Sequence, residues 1–103
     1  MEYHVNGWAK LTGDLTWKEV ADVYLETLQR CETYMTAHPE ARASSPVSLA
    51  MGGLATVYIG LRPILGNAAR YDERASPEMA EVVLALARKV QKDVPVPDHI
   101  GHA

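Results

Sequence analysis

A chain of 103 residues with 48% hydrophobic and 22% charged side chains has the composition of one folded domain, which excludes disorder over most of its length. Its net charge of −3, with Lys and Arg scattered along the chain, supplies no general attraction for phosphate backbones and disfavours nucleic-acid binding. The lone cysteine, Cys31, excludes an intramolecular disulfide and is expected as a buried thiol.

At the N-terminus, MEYHVNGWAKLTGD has neither the basic start nor the apolar run of a secretory signal, so the cytoplasm is the expected location. Within 3–11 the residues alternate, with Tyr3, Val5, Gly7, Ala9 and Leu11 on one side and His4, Asn6, Trp8 and Lys10 on the other. This period of two predicts a short strand. No second convincing strand follows. The segment 1–15 is therefore read as an extended arm that lies on the helices or pairs with the same segment of another copy. The stretch LTGDLTWKEV resembles the opening of a STAS domain, where an L-x-G-x-L segment leads from strands into a helix. The resemblance ends at Val20, because the strand and the phosphorylatable-serine loop that would follow are absent, and no fold is carried over from it.

A helix over 16–38 starts at Thr16, whose T-x-x-E spacing to Glu19 is a capping box, with Leu15 and Val20 placed as a hydrophobic staple. Trp17, Val20, Ala21, Tyr24, Leu28, Cys31 and Met35 recur at spacings of three and four, or their sums, and define its apolar face. Pro39 disfavours helical geometry at His38 and ends the helix. A second helix over 45–70 starts at Ser45-Pro46 and is kinked or split near Pro63. A third over 76–93 starts at Ser76-Pro77, with Met79, Val82, Val83, Leu86 and Val90 as its apolar face. The alternating prolines of 94–103 predict a loose extended tail. The fold class is all-α: one domain of three helices, four if the second divides at Pro63, with a short extended N-terminal arm.

The second helix raises the sharpest question. No charge falls between Ala43 and Leu61, yet Ser48, Gly52, Gly53, Thr56 and Gly60 dilute its hydrophobicity below that of a membrane span. Each interior glycine costs about 1 kcal/mol of helix propensity relative to alanine. Ser48, Gly52, Thr56 and Gly60 are spaced by four and form one shallow stripe along which another helix backbone can approach closely. Apolar residues on the other sides predict a helix covered nearly all round. Two neighbours in a small monomer do not supply that cover, so the stripe is expected at the interface of a homodimeric helical bundle.

Chemistry is harder to find. His4, His38, His99 and His102 join no other ligand type in a metal-binding spacing, so no metal and no cofactor are expected. Glu19, Asp22 and Glu26 read as a solvated acidic face, and Ser44, Ser45 and Ser76 as helix caps, which leaves no catalytic residue. The expected function is therefore non-catalytic. It is a protein-interaction module, a regulatory adaptor or an antagonist of a transcription regulator or enzyme, with Trp8, Trp17, Tyr24 and Tyr34 as anchors for the partner. Two alternatives are a small-ligand site at the dimer seam using Tyr58 or Arg62, and DNA binding through Arg88, Lys89 and Lys92 of the third helix.

Overall fold

The computed structural model describes residues 2–5, 8–11, 14–42 and 46–94, and side chains over 14–40 and 46–94. Strand β1 (Glu2–Val5) pairs antiparallel with β2 (Trp8–Leu11), Val5 opposite Trp8 and Glu2 opposite Leu11. The single strand expected over 3–11 is thus two strands that satisfy one another within the chain. The residues between them are Asn6 and Gly7, a pair strongly preferred in two-residue hairpin connections. Most of the tail expected over 94–103 lies outside the described residues.

Helix α1 (Trp17–Ala37) begins where the capping box places it. Thr16 Oγ1 accepts from the Glu19 backbone N–H at 3.3 Å, and Glu19 Oε1 accepts from the Thr16 N–H at 3.0 Å. Two further orphan donors of the first turn find partners in a distant segment: Trp17 N–H donates to Glu73 O at 2.8 Å and Lys18 N–H to Tyr71 O at 3.1 Å. The connection between the second and third helices therefore caps the first. It is tied down further by Ala75 N–H donating to Leu15 O at 2.8 Å, with Leu15 and Ala75 both buried.

Helix α2 (Pro46–Leu65) contains Pro63 in its last turn and stops two residues later, before Gly66. The expected continuation to residue 70 is replaced by a separate short 3-10 turn, Ala68–Arg70, so the described residues hold three α-helices. The Tyr71 hydroxyl donates to Leu65 O at 2.7 Å and satisfies a carbonyl at the end of α2. Helix α3 (Pro77–Asp93) starts from Ser76, whose Oγ accepts from Met79 N–H at 3.2 Å. At its other end Arg30 of α1 donates from Nε to Val94 O at 2.7 Å and from Nη2 to Gln91 O at 3.2 Å, serving carbonyls that the helix leaves free.

The three helices pack pairwise around one core in which Leu15, Val20, Cys31, Leu54, Leu61 and Leu84 are almost wholly enclosed. Two apolar faces are rotated from expectation. On α1, Val23 and Thr27 join the core, the Thr27 hydroxyl donating to Val23 O at 2.7 Å, while Leu28 and Met35 stay at its margin. On α3 the core takes Ala80, Leu84 and Ala87, while Val82 is 49% exposed. Reading only the large residues misplaces such a face, because alanines mark where helices come close.

Candidate interaction surface

Helix α2 has two sides with different chemistry. One side buries Val47, Ala50, Leu54, Val57, Leu61 and Ile64 in the core. The other leaves Leu49 72% and Ile59 75% exposed, with exposed Gly52, Thr56 and Pro63 between and beyond them. Leu49, Gly52, Thr56, Ile59 and Pro63 follow one another at alternating steps of three and four, so they share one face of the helix. No charged residue lies on it. The Thr56 hydroxyl donates back to Gly52 O at 3.1 Å, which satisfies it within the helix and lowers the polarity of the face.

The expected stripe of Ser48, Gly52, Thr56 and Gly60 is divided by this arrangement. Gly52 has open space where a Cβ would stand, and Thr56 is exposed. Gly60 is used inside the molecule: a Cβ there would meet the Met79 Cε of α3. Gly53 acts likewise, since its Cβ would stand 2.8 Å from Leu86 Cδ2. Gly53 to Gly60 and Leu86 to Met79 are equal steps run in opposite senses, so α2 and α3 lie antiparallel and the two glycines admit the tips of the α3 side chains. Val82, between Met79 and Leu86 in the sequence of α3, is exposed as well. Ser48 is half-buried at the edge of the face. The cover expected all round α2 is supplied on one side only.

Among the described residues the expected aromatic anchors do not converge. Tyr24 is buried, its ring stacked on Tyr58 with centroids 6.5 Å apart, so it is a core residue and not an anchor on the surface. Trp17 is half-buried against the core at the start of α1, whereas Tyr34 lies near its end with its ring 4.6 Å from that of His38. About 25 Å of helix separates these two. The Trp8 side chain lies outside the described residues. His38 faces Glu40 at 3.4 Å, and Lys18 pairs with Asp22 at 2.9 Å, the pairing raising the Lys18 pKa.

Other features offer less. Among the described residues no group of three or more His, Cys, Asp or Glu side chains is placed to hold a metal ion. Burial pushes the Cys31 thiol up, which keeps it protonated. Between α1 and α3, Val23, Glu26, Thr27, Arg30, Ala87, Val90 and Gln91 line a cavity of about 30 Å³, the scale of one or two water molecules. Of the residues considered for DNA, Arg88 is half-buried while Lys89 and Lys92 are exposed. Contrary to the expectation from its small residues, α2 is long and apolar enough to cross a membrane by length and composition, while its buried side belongs to the core shared with α1 and α3.

The fold is thus a mostly helical domain with an open apolar face on its central helix. Compared with known protein families, with characterised proteins and with solved structures, the chain finds no match.

Proposed function

We propose that this protein is a non-catalytic interaction module, a regulatory adaptor or antagonist that binds another protein such as a transcription regulator or enzyme, and that the open face of α2 is the surface through which it assembles. The observation that carries this reading is the exposure of Leu49 and Ile59 on an uncharged helical face, in a helix whose other side is fully packed. Full burial of one such side chain is worth about 1.5–3 kcal/mol, so covering this face supplies a driving force that the isolated chain leaves unused. Homodimeric assembly belongs to the same reading, because an exposed apolar face of this kind can be covered by its own counterpart on a second copy.

The test is capture from the native host with the tagged chain and with a Leu49→Glu, Ile59→Glu double variant. Both positions are exposed, so the variant is expected to melt as the wild type does. Recovery of one stoichiometric partner by the wild type, lost with the folded variant, is the expected result. Recovery of the same partner by both chains, or of none by the wild type, overturns the reading.

A further inference from the structure

We propose that the Met79 thioether is the site at which peroxides modify this protein, and that its sulfoxide no longer fits the notch at Gly60 and opens the adjoining end of the α2–α3 seam. The two glycine notches of α2 supply the contrast. At Gly53 the notch is filled by the hydrocarbon tip of Leu86, which such oxidants leave untouched. At Gly60 it is filled by the S-methyl end of Met79, with the sulfur 3.9 Å from the place where a Cβ would stand. One helix pair therefore holds an inert and an oxidisable side chain in equivalent seats.

The chemistry is a single oxygen transfer. A sulfur lone pair attacks one oxygen of hydrogen peroxide and the O–O bond breaks. The proton of the transferred oxygen passes to the departing hydroxide, which leaves as water. The thioether loses two electrons to the peroxide, and a flexible apolar side chain becomes a polar, chiral one.

Reach and consequence coincide at this position. Met79 is half-buried and Gly60 exposed, so the notch opens at the surface. Directly after them in sequence stand Leu61 and Ala80, both wholly buried in the core. The Met79 backbone is held in the first turn of α3, where its N–H donates to Ser76 Oγ at 3.2 Å, so the side chain is the part that yields. A sulfoxide oxygen pressed against the apolar seam lacks a hydrogen-bond donor, and turning outward supplies water. Gly60 is then left beside a void next to the core.

The other sulfur atoms among the described residues are less suited. Cys31 is wholly buried and burial keeps its thiol protonated, whereas thiol oxidation follows thiolate character and exposure. Met35 and Met51 are half-buried at the margin of the core, and none of the described glycines is seated against either.

Titration of the folded chain with hydrogen peroxide, with sulfoxides located by peptide mass and melting followed at each dose, reads the proposal directly. The first oxygen is expected on Met79, ahead of Met35 and Met51, and the melting temperature is expected to fall by several degrees in proportion to the Met79 sulfoxide fraction. Met79→Leu, which conserves volume and copies the Leu86 seat, is expected to melt as the untreated wild type does and to hold that temperature at the same dose. A first oxygen on Met35, Met51 or Cys31 overturns the proposal. So does a Met79 sulfoxide that melts unchanged, or an equal fall in Met79→Leu. Should the variant itself melt low, the proportionality in the wild type decides: a fall that tracks sulfoxide at Met35 or Met51 instead of Met79 overturns it.

Discussion

On the side of α2 that meets α3, Gly53 and Gly60 stand beneath Leu86 and Met79, and each lets a neighbouring side chain settle closer than an alanine would allow. On the other side Gly52 meets no packing neighbour at the place of its missing Cβ among the described residues, and Leu49 and Ile59 project into solvent. The same residue type, with the same cost in helix propensity, is compensated within the molecule in two cases and left uncompensated in the third.

Four changes separate the two sides, beginning with the largest. Leu54→Ala removes a wholly buried side chain at the centre of the packed side and is expected to cost about 2–5 kcal/mol of stability in denaturant titration. A loss below 1 kcal/mol would mean that this side is not the core. Gly52→Ala has the opposite sign. At a concentration too low for self-association it should stabilise the protomer by about 1 kcal/mol, because the helix gains propensity and meets no obstruction. The same substitution should weaken association, and that pair of opposed signs is what an uncompensated glycine at an external seam requires.

Gly60→Ala and Gly53→Ala sharpen the contrast with a smaller effect. Each gains the same propensity, but displacing the Met79 or Leu86 tip costs about 0.5–1.5 kcal/mol, so the net change should lie near zero. A full gain equal to that of Gly52→Ala would erase the difference between the sides. The weakest handle is pH. Burial raises the pKa of both the Tyr24 hydroxyl and the Cys31 thiol, so the unfolded chain releases these protons first. Their contribution to stability is complete below the ordinary thiol range and declines as pH rises through it. The urea midpoint should therefore fall between neutral pH and about pH 10, and Cys31 should resist alkylation until the protein unfolds. An unchanged midpoint would argue that neither group is enclosed.

The starts of α1 and α3 were legible because caps are local: Thr16 with Glu19, and Ser76 with Pro77, satisfy or remove backbone donors within one turn. The end of α2 was less so. Pro63 announces a break, but the Tyr71 hydroxyl that closes the helix at Leu65 comes from the following loop. The open face of α2 was half visible. Gly52 and Thr56 stand out by their small size, whereas Leu49 and Ile59 are apolar residues of a helix expected to be covered nearly all round, and nothing local tells which side of it the core leaves open.

What the sequence determined by itself is whatever depends on neighbours within one or two turns: three helices, the caps that start the first and the third, and a second helix rich in small residues with no charge before Arg62. Tertiary structure decided which side of each helix turns inward, because that depends on how three helices share a limited core. Val82 is left at the surface while Ala87 is enclosed, and Gly60 is committed to Met79 while Gly52 stays open. Hydrophobicity states that a residue gains by burial; only the packing of the whole chain settles whether its own fold supplies the cover.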